Sequence, residues 1–390
     1  MNIIKNLFRE KKSQKNFSEI KAFYQPLGKA VWSDRNYEVF AREAYIRNVV
    51  AYKCISMLAK NASSIPLLLY DKRTKKEIKN HPLLDLLNNP NPTQNGCEFF
   101  ESIYSYKLIA GNSFIKATFL KSENFKNPRE LFVLRPDRIN IIAGENGLPM
   151  AYEYKVNNSK TRFYVDKITG QSEILHLKNF NPINDWYGLS PIEAASYSID
   201  QHNEASKWNQ SMLQNGARPS GALMVKCSDD SNSNFLTDEQ FDRLKQQLDE
   251  EFSGSENAGK PLLLEGGLEW KEMSLKPTDM DFLNAKHSCA RDIAMAFGIP
   301  SQLLGIPGDN TYNNLVEARL SMWEETILPM VDNMIKSLNN WLVPMFDNNI
   351  MLYYNKEKIS ALSTKQEQYW NKIASADFLT DDEKKELLDL

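Results

Sequence analysis

Apolar residues three and four apart organise most of this chain. In EAYIRNVVAYKCISMLAKNASSIPLLLYDK (residues 43–72), Ile46, Val49, Val50, Cys54, Met57, Leu58 and Ile65 follow helical spacing. Pro66 ends that helix, and LLLYD reads as a buried strand. HPLLDLLNNPNP (81–92) predicts a short helix closed by two Asn-Pro steps. The next helix, in TQNGCEFFESIYSYKLIAGN (93–112), takes Thr93 or Asn95 as cap and Gly111 as stop. SFIKATFLK then alternates as a strand does, and five short apolar or alternating runs over 129–177 mark a β-rich stretch. No 20–50-residue repeat is visible.

A helix is expected from Pro191 to about Gln214, built mostly of small and amide side chains. Its apolar seam, Ile192, Ile199, Trp208, Met212 and Leu213, is too thin for deep burial within one subunit. Residues 218–277 read as a separate α/β module: a strand in GALMVK, a helix in LTDEQFDRLKQQLDEEF and strands in KPLLLEGGLEWKEMSL. Thr278 to Asp281 resembles a capping box, with Asp in the place of Glu or Gln. The helix it opens is expected to bury Phe282, Ala285, Cys289, Ile293 and Phe297, with Asn284, Lys286, His287, Arg291 and Asp292 on its other face.

The strongest periodicity follows. Val316, Leu320, Trp323, Ile327, Val331, Met334, Leu338 and Trp341 step by threes and fours. They predict a rod of about 40 Å at 1.5 Å per residue, bent at Pro329. Between this helix and the one before it lies GIPSQLLGIPGDNTYNN, longer than the about 2–8 residues usual between packed helices. Loops of that length and composition carry function or are disordered. The tail after 363 reads as two short helices joined at FLTDDE, with Thr380 capping the second.

Composition narrows the function. With 390 residues, 42% of them hydrophobic, the chain can build more than one packed part. Its net charge of −3 argues against tight nucleic-acid binding by phosphate neutralisation, though not against DNA passing by. Four cysteines at 54, 97, 227 and 289 contain no CxxC pair, so neither a disulfide framework nor a zinc site is expected. The basic N-terminus lacks the apolar core of a signal peptide and is expected to be a solvated arm; no segment approaches a membrane span.

Catalytic motifs fail one by one. GSENAGKP (254–261) nearly matches a phosphate-binding loop, but Pro261 replaces the hydroxyl residue, and a helix precedes it where a strand should. DDSNSNF lacks the Gly and Glu of a calcium loop. His81, His176, His202 and His287 have no i+4 partner, and HNE at 202–204 has no later PCxxC to complete a deaminase. YGLSP is not a nucleophile elbow. No catalytic, cofactor or metal residues are expected.

The order of features resembles that of the portal proteins of tailed double-stranded DNA phages, prophages and gene-transfer particles. VVAYKCISMLAKNASSIPLLLYD, HPLLDLLNNPNP, EFFESIYSYKLIAGNSFI, YGLSPIEAA, NGARPSG, GKPLLLEGGLEW, DMDFLNAKHSCARDIAMAFGIPSQLLG, TYNN and FLTDDE carry the resemblance in register over about residues 40–385. It implies an α+β, elongated portal-type subunit: a basic, flexible arm (1–43), an α+β wing (44–188), a first stem helix (189–217), a small α/β clip (218–277), a second stem helix (278–297), a tunnel loop (298–314), a long bent wing helix (315–345) and a short helical crown (346–390).

By resemblance, Gln302, Asp309, Asn310, Thr311, Tyr312, Asn313 and Asn314 would meet DNA in a channel, with Lys286, His287 and Arg291 on the polar face of the stem. Ile192, Ile199, Trp208 and Met212 would contact the adjacent subunit. The resemblance implies a homo-oligomeric ring, typically a dodecamer, at one capsid vertex of a virion, assembled in the host cytoplasm. Implied partners are double-stranded DNA held non-specifically and transiently, the large terminase, the major capsid protein and a head-tail adaptor; no cofactor and no membrane are implied. Two other readings compete: a nucleotide-binding enzyme of nucleic-acid metabolism using GSENAGKP, and a membrane-surface scaffold using the basic arm.

Overall fold

The structure is a computed structural model. It describes residues 32–34, 36–120, 127–144, 149–214, 221–225, 268–272, 281–307, 312–356 and 359–363, with scattered single positions elsewhere. The fold below is that of Asp34–Leu390.

The fold begins earlier than the hydrophobic pattern suggested. Helix α1 starts as Tyr37–Val39 and continues as a π-wound turn, Phe40–Ile46. Asn36 caps it, and Phe40 and Ala44 are buried. This corrects the expectation of a flexible arm reaching residue 43. Helix α2 (Val49–Ser63) follows after a two-residue break. The break shifts the helical phase, so Ala51, Cys54, Ile55, Leu58, Ala59 and Ala62 face inward while Ile46 and Val49 stay 74% and 69% exposed.

Strand β1 (Leu67–Asp71) and helices α3 (Pro82–Asn88) and α4 (Gly96–Ala110) lie where the sequence puts them. Asn95 and Glu98 cap α4 reciprocally, each side chain accepting the other's backbone N–H at 2.9 and 3.1 Å. Gly111 ends α4 at φ 71°, a left-handed stop only glycine adopts freely. A Cβ there would run into the backbone of Gly188 and Leu189, so two loops touch main chain to main chain.

The β-rich stretch forms two three-stranded antiparallel sheets. In one, β2 (Asn112–Thr118) lies between β3 (Glu130–Leu134) and β7 (Ile174–Lys178); in the other, β5 (Pro149–Val156) lies between β4 (Ile139–Ala143) and β6 (Ser159–Tyr164). A small core of Phe114, Leu134, Ile139, Tyr152, Phe163 and Ile174 joins them.

Short α5 (Pro191–Ala194) breaks at Ala195 before α6 (Ser196–Gln214). Strands β8 (Gly221–Val225) and β9 (Leu268–Glu272) pair antiparallel in the expected α/β module. The helix expected at 236–252 and the GSENAGKP segment lie outside the described residues, as do Thr278 and the FLTDDE junction, apart from single positions. Helix α7 (Phe282–Ala296) begins after Asp281, whose side chain accepts from Asn284 Nδ2 rather than capping the backbone. Its buried face is Cys289, Ala290, Ile293, Ala294 and Phe297, and Ala285, expected inside, is exposed.

The long helix consists of α8 (Tyr312–Ser321), a π-wound segment (Met322–Ile327) and α9 (Leu328–Trp341). The expected interruption is there. Pro329 sits in the first turn of α9, where its missing N–H matters least, and the π turn absorbs the mismatch upstream. Met322, Trp323, Ile327, Val331, Met334 and Leu338 enter the main core, whereas Val316 is 55% exposed.

One element was not foreseen. Residues Ile350–Tyr354, in the segment expected to be crown, form β10 and pair antiparallel with β1 from Leu67↔Tyr354 to Asp71↔Ile350. Their inward residues Ile350, Leu352 and Tyr354 seal the same core as α2, α4 and α9.

Candidate channel and subunit-contact surfaces

Helices α6 and α7, the expected stem pair, pack along each other within one subunit. Trp208 stacks on Phe282 with ring centroids 4.1 Å apart and planes 23° from parallel. The Cys289 thiol donates to Gln201 Oε1 at 3.5 Å, and Ser198 Oγ donates to Asp292 at 3.4 Å. The apolar seam of α5 and α6 therefore divides. Ile192 and Ile199, expected to contact an adjacent subunit, are 1% and 2% exposed and belong to the subunit's own core. They cannot offer surface to a neighbour, because α4, α1 and α7 already enclose this end of the seam. Trp208 and Met212 are half-buried.

The upper part of α6 is held by a buried polar junction that the sequence reading missed. Asn48 Oδ1 accepts from the N–H groups of Val50 and Ala51, capping α2. Its Nδ2 lies 3.2 Å from His202 Nδ1 and donates to Asn203 Oδ1 at 3.0 Å. Asn203 Nδ2 donates in turn to the Glu43 carbonyl at 2.9 Å. Burial, with Lys286 nearby, pushes the His202 pKa down and favours the neutral ring as acceptor. This junction fastens α6 to the α1–α2 break. The signal available in the sequence was the amide and His content of a helix too polar to bury by apolar contact alone.

Of the polar residues expected on the stem face, Lys286, His287 and Arg291 are all half-buried on α7. Arg291 Nη2 donates to the Pro307 carbonyl at 3.3 Å, tying α7 to the loop that follows it.

The described part of that loop, 298–307, is anchored at several points. Gly298 turns left-handed at φ 66°, and Thr326 Oγ1 from the π segment donates to its carbonyl at 2.7 Å. Ile299 and Ile306 are buried, and a 3-10 turn, Ser301–Leu304, lies between them with Gln302 half-buried. Helix α8 then starts at Tyr312, so Tyr312, Asn313 and Asn314 belong to its first turn; Asn314 is exposed. Asp309, Asn310 and Thr311 lie outside the described residues.

A second hub fixes the loop leading into α5. Asn112 Oδ1 accepts from Gly188 N–H at 2.8 Å and lies 3.0 Å from His176 Nε2; its Nδ2 donates to the Ala110 and Gly188 carbonyls. The His176 ring stacks on Phe114, centroids 4.4 Å apart. Burial, reinforced by Lys178, pushes its pKa down to about 3. Neutral His176 thus donates from Nε2, and both Asn112 and Gly188 are held by one small polar cluster.

Among the described residues, no group of three or more His, Cys, Asp or Glu could hold a metal ion, and no helix is long and apolar enough to cross a membrane. These surfaces can hold helices together, carry a loop at a fixed base and present half-exposed apolar and basic groups.

Sequence and structure comparisons agree on one family. The phage portal protein family matches residues 49–389. An uncharacterized protein of Rickettsia bellii is 47% identical over 348 residues, 89% of this chain and 88% of that one. A chain from the neck of an empty GTA particle, computed with C6 symmetry, superposes with a TM-score of 0.72 at 38% identity, covering 95% of this chain and 98% of its own. A chain from the neck of the native GTA particle, computed with C12 symmetry, gives a TM-score of 0.69 at 37% identity, covering 95% and 98%. The chain belongs to the phage portal protein family, whose members are structural components of the capsid rather than enzymes.

Proposed function

We infer that twelve copies of this chain form a closed ring at one vertex of a phage-type or gene-transfer particle, enclosing a channel for double-stranded DNA. The observation that carries this reading is the match, along almost the whole chain, to a subunit of a neck computed with C12 symmetry. In this reading residues around 44–188 with β10 make the wing, α6 and α7 the stem, and the β8–β9 module the clip, facing first the large terminase and later the head-tail adaptor. The major capsid protein surrounds the wing. Residues 298–314 form the tunnel loop, with Asp309 to Asn314 toward the duplex and Lys286, His287 and Arg291 on the polar side of the stem. The net charge of −3 suits a channel through which DNA slides, since a strongly basic ring would hold phosphates.

The test is a packaging assay with loop variants. Ile306 is buried, so the removable piece is 308–311. Its deletion is expected to leave ring assembly intact, because Ile299, Ile306 and the Thr326–Gly298 bond hold the loop base, and to impair packaging or retention of DNA. Replacing Asp309 and Asn310 by Lys is expected to slow translocation more at low salt than at high, as the added charge repeats around the ring. If both variants package as the parent does, the channel assignment of this loop fails.

A further inference from the structure

A cavity of about 450 Å³ opens between the start of α1, the end of α4 and the loop 179–189 that leads into α5. Asn36, Tyr37 and Phe40 line it from one side, and Ile183, Asn184 and Tyr187 line it from the loop. Glu193, in the first turn of α5, is the one charged residue in its lining among the described residues. None of the candidate channel residues lines it.

Hydrogen bonds hold the loop wall in place. Asn181 Oδ1 accepts from the N–H groups of Ile183 and Asn184 at 3.0 and 3.2 Å, and Asn184 Oδ1 accepts from those of Trp186 and Tyr187 at 2.8 and 3.0 Å. Asn181 Nδ2 donates to the Tyr187 carbonyl at 2.9 Å, and the Tyr187 hydroxyl accepts from the Ile141 N–H at 3.0 Å.

This bonding decides what the cavity offers. Asn36 and Asn184 spend Oδ1 on backbone N–H groups, so each presents its amide NH2 group, a donor. Glu193 presents an acceptor. Its carboxylate makes no hydrogen bond or ion pair among the described residues, and the Ser190 side chain, not Glu193, caps α5. Arg135 and Arg138 are charged neighbours of Tyr37 but do not line the cavity, and Arg135 is held by Asp137 at 2.8 Å.

Depth puts these groups in order. Asn36, Ile183 and Asn184 are exposed and form the mouth, whereas Glu193 is half-buried and Phe40 buried. A ligand that satisfies them carries a cation inward, a stem that packs on Phe40 and the tyrosine rings, and carbonyl oxygens at the mouth. An arginine residue in an extended chain has this order of groups. Its planar guanidinium can meet a carboxylate through two parallel hydrogen bonds and stack on aromatic rings, which fits the site better than a lysine ammonium.

We propose that this cavity binds an arginine side chain presented by an extended segment of a partner protein, with the guanidinium on Glu193 and the flanking main-chain carbonyls on the amide groups of Asn36 and Asn184. The contact does not depend on the ring reading above.

Full-length protein is titrated by isothermal calorimetry with acetyl-Ala-Arg-Ala-amide, with the same peptide carrying citrulline or lysine in place of arginine, and with butylguanidinium; circular dichroism establishes folding of each variant. Citrulline keeps the shape of arginine and loses its charge. The arginine peptide should bind saturably, at least about tenfold tighter than the citrulline peptide and about threefold tighter than the lysine peptide or butylguanidinium. Glu193→Gln should weaken the arginine peptide at least about tenfold and leave the citrulline peptide within about threefold. Asn36→Ser keeps an oxygen to cap α1 but loses the amide donor, and should weaken the arginine peptide about threefold while sparing butylguanidinium. No saturable binding of the arginine peptide below about 10 mM, equal binding of the citrulline peptide, or unchanged affinity in folded Glu193→Gln would overturn the site. A lysine peptide that binds as tightly would overturn the assignment to a guanidinium. Butylguanidinium binding as tightly as the peptide, or an Asn36→Ser variant that binds the peptide as the parent does, would overturn the main-chain contacts.

Discussion

Acid should loosen the subunit through His176, and the size of the effect follows from its surroundings. The ring is sandwiched against Phe114 at 4.4 Å, donates toward Asn112, and has Lys178 as a charged neighbour. Its pKa falls from the usual 6.5 to about 3 in the folded subunit. Between those values the unfolded chain binds a proton that the folded one refuses, so stability is whole above pH 6.5 and is lost as the pH falls. At about 1.36 kcal/mol per unit, moving from pH 7 to pH 4 costs about 3 kcal/mol through this one side chain. Carboxylates also titrate in acid, so the measurement is a difference: urea unfolding of the parent and of His176→Gln at both pH values. Glutamine keeps an Nε2 donor toward Asn112 but cannot titrate. The parent should lose about 3 kcal/mol more than the variant between pH 7 and pH 4. A difference below about 1 kcal/mol, less than one pKa unit, would refute the claim that the folded subunit holds this ring neutral.

Gly188→Ala should cost more than about 2 kcal/mol, because its Cβ would strike the Gly111 carbonyl and the Asn179 backbone; urea unfolding at pH 7 measures it. Asn95→Ala removes one half of the α4 capping box and should cost about 1 kcal/mol in the same assay. Lys107, 8% exposed with a 3.4 Å hydrogen bond to Asn333, has its pKa lowered by burial. Stability should therefore rise as the pH approaches 10.5, where the unfolded chain also sheds this proton, and Lys107→Met should flatten that rise in alkaline unfolding curves.

Much of the fold between residues 49 and 178 was legible because its residues speak locally. Asn95 (one of two candidate caps), Gly111, Pro66 and the alternating runs of 129–177 each determine a terminus or a strand from short-range chemistry. The readings that slipped depend on tertiary partners. Ile46 and Val49 have helical spacing, but the Asn48 break rotates them out of the core, and nothing in the local pattern shows that Asn48 caps a helix and bonds Asn203, 155 residues away in the sequence. Ile192 and Ile199 looked too sparse for burial because Asn203 and His202, polar residues, complete the packing of α6. IMLYY has a strand's alternation, yet its role depends on β1, almost three hundred residues earlier. The loop before α8 showed its length in the sequence but not its anchors: Thr326, in the π segment, donates to the Gly298 carbonyl from 28 residues further along the chain.

A closed ring around a central hole is tested most directly by electron microscopy of the purified full-length protein. Averaged end-on views are predicted to show closed rings with twelvefold symmetry and a central channel wide enough for a DNA duplex. Monomers, or open filaments without a central hole, at concentrations where the protein is folded would contradict it.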